Sequence, residues 1–317
     1  MTDNQQINFE RVCVIGPGLI GSSLALAMRE AGIANKFVGF DQDAAIAARA
    51  AEIGVVDEAA PDFASAVAGS DLIILGTPVG AIADICELLN EHGPEGALII
   101  DVGSVKGAIA MAAEKLGEGL HFVPCHPVAG TEQSGPDAGF ASLFKDRWCI
   151  LTPLDRASDA YKAAVEKAGT LWEAVGAHVE VMDAAHHDLA LAVTSHLPHL
   201  IAFTLVGAAD DLEEVTQAEV IKYSAGGFRD FTRIAASDPV MWRDVFLNNK
   251  EAVLEVLGRF SEELAMLQRA IRWGDADALY KTFSRGRELR RAIVEAGQET
   301  AAPNFGRDRK NGGKPKA

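Results

Sequence analysis

Arg11-Val-Cys-Val-Ile15, then Gly16-Pro17-Gly18-Leu19-Ile20-Gly21, then Phe37-Val-Gly-Phe40 closed by Asp41: these three stretches decide how the chain folds. The first is a short apolar, strand-like run and the second a glycine turn. Leu24, Leu26, Ala27 and Met28 continue with helical spacing until Gly32, a residue suited to a helix C-cap. The third is a second strand with an acid at its end. In that order the glycines have separate physical tasks: Gly16 permits a tight turn, Gly18 lets a pyrophosphate approach the backbone, and Gly21 lets helix and strand pack closely. The helix N-terminus, at Leu19 and Ile20, then presents its free N–H groups to phosphate oxygens. Asp41 falls twenty residues after Gly21, where a carboxylate accepts hydrogen bonds from an adenosine ribose. Gln42 and Asp43 offer no cation for a 2′-phosphate, so NAD is expected rather than NADP. The competing reading is a ligand-free glycine turn beside a solvated acid.

The alternation continues outward. Asp71–Leu75, Ala97–Ile100, Phe122–Val123, Trp148–Leu151 and His178–Met182 read as strands, and Ile82–Leu89 and the segment from Lys106 to Lys115 read as helices. Near-continuous apolar strands separated by helices predict an α/β fold, a Rossmann-type mostly parallel sheet covered on both faces. Three loops leave strand ends toward one crevice: Thr77-Pro78, expected to meet the cofactor, Gly103-Ser104-Val105-Lys106, and the stretch His126–Pro136. The last places an imidazole, the Thr131 hydroxyl and the Glu132 carboxylate within seven residues. By position alone His126 is either a structural histidine at a strand end or a proton-transfer group. Ser104 either orients a neighbouring imidazole or substrate hydroxyl, or caps the next helix.

Beyond Met182 only helical spacing remains: an apolar segment from Leu189 to Ala209, then Asp238–Leu257, Ser261–Ala270 and Asp275–Ala296. Three parts are therefore expected: a NAD-binding domain over 1–183, an all-helical substrate and dimerisation domain over 184–297, and a disordered basic tail over 298–317. The uniformly apolar segment from Leu189 calls for cover by other helices, including those of a second subunit. It is interrupted by Ser195-His196-Leu-Pro-His199. These histidines, with His186 and His187, read as hydrogen-bonded core groups or, less naturally because the spacing fits no zinc pattern, as metal ligands; no metal is expected. Gly226-Gly-Phe-Arg229-Asp230-Phe-Thr-Arg233 combines close backbone approach with a cation suited to holding a carboxylate, or simply forms surface ion pairs with Asp230.

Composition sets outer limits. A formal net charge of -16 argues against nucleic acid or an anionic membrane as partner. Cys13, Cys86, Cys125 and Cys149 show no Cys-x-x-Cys spacing, and the first residues carry no secretion signal, so a reducing cytoplasm is expected.

Taken together, Gly16-Pro-Gly-Leu-Ile-Gly-Ser-Ser23, Asp101-Val-Gly-Ser-Val-Lys106, His126-Pro-Val-Ala-Gly-Thr-Glu-Gln-Ser-Gly135, Thr194-Ser-His-Leu-Pro-His199 and Gly226-Gly-Phe-Arg-Asp-Phe-Thr-Arg-Ile-Ala235 occur in an order that resembles the prephenate/arogenate (cyclohexadienyl) dehydrogenase family of tyrosine biosynthesis, over about residues 9 to 297. The resemblance implies NAD-dependent oxidative decarboxylation of a cyclohexadienol by a homodimer. It implies His126 as the base that accepts the substrate hydroxyl proton and Ser104 as the group bonded to both. Ser195, His199 and Arg233 are implied at the substrate's carboxylate and side-chain ends, with Thr131 nearby, Glu132 and Asp230 as gating or orienting acids, and Trp242 as a wall. Prephenate and L-arogenate differ only in a keto or amino group, and both stand as substrates. Neither a fused chorismate mutase before the first strand nor a regulatory ACT domain after Gly297 is expected from the chain length. Two alternatives remain: a Rossmann-plus-helical dehydrogenase of the 3-hydroxyacid or imine-reductase type, and a non-catalytic NAD sensor.

Overall fold

The computed structural model describes residues 7–131, 133–210, 219, 222–223 and 225–295. Glu132 and the basic tail lie outside the described residues. The first half is built on β1 (Phe9–Ile15), α1 (Leu19–Ala31), β2 (Ala34–Phe40), α2 (Ala44–Glu52), β3 (Glu58–Ala59), α3 (Phe63–Val67), β4 (Leu72–Leu75), α4 (Ile82–His92), β5 (Leu98–Asp101), α5 (Gly107–Ala113) and β6 (His121–Val123). The six strands are parallel in the order β3-β2-β1-β4-β5-β6. Buried β4 and β5 residues such as Ile73, Ile74, Ile99 and Ile100 explain the continuous apolar runs, since helices cover both faces. Gly32 caps α1 in the left-handed conformation, as the spacing predicts.

Strand order reverses between β1 and β4, and there the two following turns touch. A Cβ added to Gly76 would stand 2.4 Å from the Gly16 carbonyl oxygen, and one on Gly16, whose φ is +76°, would stand 2.9 Å from the Gly76 carbonyl carbon. Only glycines allow this approach, which opens the crevice where α/β sheets of this order bind ligands.

The later strands do not extend that sheet. Pro124, which has no N–H for a ladder, follows β6, and the chain enters β7 (Cys125–Pro127), antiparallel to β8 (Trp148–Leu151), which pairs in parallel with β9 (His178–Val181). A separate three-stranded sheet results. His126 therefore lies on a strand, in place of the loop expected for it. α6 (Asp159–Ala174), capped by Ser158, buries Tyr161, Leu171 and Trp172 against the same core.

The helical half opens with α7 (Ala184–Leu191), a π turn (Ala192–His196) and α8 (Leu197–Asp210). Pro198 accounts for the π turn, because its ring displaces the carbonyl four residues back and supplies no N–H. The stretch Ala184–Ala209 is long and apolar enough, by length and composition, to cross a membrane, yet His187, Asp188 and His196 within it bond to the surrounding protein. Then come α9 (Gly226–Thr232), α10 (Pro239–Asn248), α11 (Lys250–Trp273) and α12 (Ala276–Glu295). The break expected near residue 260 falls instead at Asn249; the helix runs on through Ser261, whose hydroxyl donates to the Leu257 carbonyl. Trp242 and Val245 of α10 join the core of the first half, whereas Ala192, Leu197, Val253 and Val256 make a small core of their own.

Candidate active site

The glycine turn fits a dinucleotide. Gly21 is pressed against the turn, where an added Cβ would lie 2.8 Å from the Gly16 oxygen, but a Cβ on Gly18 would meet nothing within 4 Å. That free space lies at the N-terminus of α1, beside the backbone of Leu19 and Ile20, where a pyrophosphate is expected. Thr77 Oγ1, in the adjoining turn before the exposed Pro78, is buried with no hydrogen-bond partner among the described residues. Asp41 follows β2 directly and is half-buried, accepting the Asp43 N–H at 2.9 Å. Burial raises its carboxyl above the usual range, the Asp43 N–H pulls it back, and its acceptor capacity toward ribose hydroxyls remains.

His126 is held from below and from the side. Below it, the fully buried Asp101 and Lys106 form an ion pair. Asp101 Oδ1 accepts the Cys125 N–H at 3.0 Å, its Oδ2 accepts the Gly103 N–H at 2.7 Å, and Lys106 Nζ donates to the Cys125 carbonyl at 2.6 Å. Cys125 is thus gripped on both of its peptide groups as the chain passes from one sheet to the other. Burial, helped by the nearness of His187 and Lys106, pushes the His126 pKa well below its usual 6.5. The imidazole is neutral near pH 7, the form a proton acceptor needs.

From the side comes the helical half. His126 Nδ1 lies 2.7 Å from His187 Nε2, and His187 Nδ1 lies 2.8 Å from Asp188 Oδ1. Asp188 also accepts the N–H of Lys106 at 2.7 Å and of Gly107 at 2.8 Å, so a carboxylate from α7 caps α5 across the two halves. Ser104 does not supply that cap. Buried Asn249 donates to the Asp188 carbonyl at 2.8 Å and bonds His196 Nδ1 at 3.0 Å. His196 is pushed down to about 4, chiefly by burial.

The remaining residues gather above this. His199 Nδ1 donates to the Ser195 carbonyl at 2.8 Å, and its ring stacks on Trp242 with centroids 3.7 Å apart. Burial lowers the His199 pKa, with Arg233 contributing from the following 3-10 turn. Arg233 is exposed, as is the Arg229–Asp230 ion pair beside it. The backbone of Ser104 borders the His196 ring; its half-buried hydroxyl has no hydrogen bond to His126 among the described residues. The Thr131 hydroxyl accepts the Gln133 N–H at 3.2 Å. Among the described residues no cluster of three or more His, Cys, Asp or Glu is disposed to hold a metal, and His187, His196 and His199 each spend a ring nitrogen on the bonds above.

Sequence reasoning missed His187 and Asp188 as partners of His126, Asn249 as the residue that ties them, and the Asp101–Lys106 grip. A signal existed in Ala184-Ala-His-His-Asp188: three polar residues opening an otherwise apolar helix need buried partners.

Comparisons with known proteins agree with this geometry. The model of the prephenate dehydrogenase nucleotide-binding domain matches residues 24–181, and that of the prephenate dehydrogenase dimerization domain matches residues 183–285. The cyclohexadienyl dehydrogenase of Zymomonas mobilis is 38% identical over 287 residues, covering 90% of this chain and 96% of that protein. The prephenate dehydrogenase of Bacillus subtilis is 34% identical over 298 residues, 93% of this chain and 79% of its own. Among solved structures, the prephenate dehydrogenase of Aquifex aeolicus with hydroxyphenyl propionate and NAD+ superposes with a TM-score of 0.83 at 34% identity, covering 91% of this chain and all of that one. With both domains matched in sequence order and the cofactor cradle in place, the chain belongs to the prephenate dehydrogenase family of NAD-dependent oxidoreductases.

Proposed function

We propose that this chain catalyses the oxidative decarboxylation of prephenate to 4-hydroxyphenylpyruvate, of L-arogenate to L-tyrosine, or of both, as a cytoplasmic homodimer. The observation that carries this is His126: a buried imidazole kept neutral at the junction of the nucleotide-binding half and a helical half bearing His199, Trp242 and Arg233. NAD+, when bound along Gly16, Gly18, Leu19, Ile20, Gly21, Asp41, Thr77 and Pro78, supplies the hydride acceptor. His126 takes the proton of the substrate's ring hydroxyl as the ring carboxylate leaves as CO2. Aromatisation makes that step downhill, so the protein's part is orientation and charge placement. Ser104 is assigned to the substrate hydroxyl. Arg233, Ser195 and His199 are assigned to the carboxylates, Trp242 to the wall of the site, Thr131 to substrate binding, and Glu132 to the role of a gating or orienting acid.

The division near residue 183 separates the two tasks: cofactor and base before it, anion clamp after it. Dimerisation explains the exposed Leu254, Ile271, Trp273 and Tyr280 of α11 and α12, and the apolar stretch after Leu189, which a second copy would cover in place of lipid. The acidic charge balance speaks against nucleic acid as partner.

The test is purified protein with NAD+ and either substrate, following NADH and CO2. Release of both in equal amounts is expected, with His126→Asn lowering turnover roughly 10²-fold or more while NAD+ affinity holds. Reduction of NAD+ without CO2 release, or full turnover by His126→Asn, would overturn the reading.

A further inference from the structure

The contacts from Asp188 through His187 to His126 determine more than position. We infer that Asp188, acting through His187, fixes the proton of His126 on Nδ1 and so leaves Nε2 as the atom that accepts the substrate's proton. This deepens the functional reading above and rests on it for its catalytic consequence, but not for the placement of the protons.

Asp188 accepts the Lys106 N–H at Oδ1 and the Gly107 N–H at Oδ2, which is the role of an ionised carboxylate with no proton of its own to give. The His187 nitrogen 2.8 Å from Oδ1 is therefore the donor, and that nitrogen is Nδ1. His187 is fully buried, and burial, with Lys106 near, lowers its pKa; it carries a single proton. Nε2 of His187 is left with a lone pair, aimed at His126 Nδ1 only 2.7 Å away. Two lone pairs cannot share that distance, so His126 Nδ1 is protonated and donates. As His126 is neutral, its Nε2 is bare.

Reversing the protons would set a bare His187 nitrogen against the Asp188 carboxylate, an uncompensated repulsion in a buried site. The arrangement also depends on docking of the two halves. His126 belongs to β7, while His187 and Asp188 belong to α7, and Asn249 holds the Asp188 backbone through its carbonyl. His187 and Asp188 are thus positioning residues, reaching the substrate only through His126.

The experiment uses 15N-histidine-labelled full-length protein and long-range 1H–15N spectra, which show which ring nitrogen carries hydrogen. Wild type should show Nδ1–H with bare Nε2 for both His126 and His187. His187→Gln places an amide oxygen where Nε2 stood; it should preserve the His126 tautomer and most of the turnover. His187→Leu removes the acceptor without touching the Asp188 cap. It should populate Nε2–H on His126 and lower kcat roughly 10- to 100-fold, the scale on which an orienting partner acts on a functional imidazole, with substrate and NAD+ KM unchanged. Should His187→Leu fail to fold, the wild-type and His187→Gln spectra decide the matter. A wild-type His126 protonated at Nε2, or His187→Leu with wild-type kcat and tautomer, overturns the proposal. The expected spectra from a protein inactive toward both substrates would support the tautomer assignment and count against the functional reading instead.

Discussion

Lys106 and Asp101 meet as a fully buried ion pair whose two ends hold the same residue, Cys125, one by its carbonyl and the other by its N–H. Neither charge reaches solvent. The pair bridges the loop after β5 to the start of β7, so the backbone that carries His126 is clamped at the residue before it.

Removing one partner strands the other charge in the interior. Lys106→Met should cost about 3–5 kcal/mol in unfolding free energy, the usual penalty for an orphaned buried charge. The double variant Lys106→Met/Asp101→Asn should recover part of it, because the amide removes the stranded charge and keeps one acceptor for the two backbone N–H groups of Cys125 and Gly103. Urea unfolding of the wild type, Lys106→Met, Asp101→Asn and the double variant gives the coupling directly. Equal stability of the single and double variants would mean that charge is not what the pair contributes.

Much of this molecule was legible from one-dimensional pattern, and the limits have a physical cause. The turn at Gly16, Gly18 and Gly21, its helix and Asp41 are local, so their spacing alone placed them correctly. His126 was found as a chemical candidate, but its strand was not: β7 is three residues long and exists because Pro124 ends one ladder and β8 offers another. The partners of His126 and of α5 come from residues 61 to 82 positions away, and no periodicity reports such contacts. The histidines of the apolar segment were readable as buried and bonded groups, but which nitrogen faces which acceptor required the fold.

The glycine turn separates cofactor binding from stability. Gly16→Ala forces a side chain into φ +76° against the Gly76 backbone, so a loss of roughly 1–3 kcal/mol of stability is expected. Gly18→Ala meets no protein atom, so its melting temperature should match wild type while the NAD+ dissociation constant rises about tenfold or more, or ~1.4 kcal/mol. Calorimetric titration beside thermal melts checks both. Wild-type NAD+ affinity in Gly18→Ala would place the pyrophosphate elsewhere.

Acid should destabilise the fold through its histidines. His126, His187, His196 and His199 all have folded-state pKa values lowered, in each case chiefly by burial, and for His196 to about 4. In the unfolded chain each titrates near ~6.5. Below that pH the unfolded state binds protons that the folded state refuses. The stability is thus complete above ~6.5 and is lost as pH falls toward the folded values, with the share from His196 used up near 4. Melting temperature against pH should be level above neutrality and drop steadily below it. The acid limb of kcat/KM should likewise lie below 6.5 because His126 must be neutral to act. An acid limb above 6.5 would contradict the burial that the structure shows.

Arg233 and Trp242 test the clamp from opposite ends. Arg233 is exposed, so its loss should change stability by no more than about 0.5 kcal/mol. A charge-assisted hydrogen bond to a substrate carboxylate is worth about 1.5–3 kcal/mol, so Arg233→Ala should raise substrate KM by roughly 10- to 100-fold with kcat much less affected. Trp242 is buried, stacks on His199 and packs into the core of the first half, so Trp242→Ala should lower both stability, by about 3–5 kcal/mol, and activity. Steady-state kinetics beside urea unfolding distinguish the two patterns. An Arg233→Ala variant with unchanged KM would remove the guanidinium from substrate binding. Its charge would then act at this site through His199, whose pKa it helps to lower.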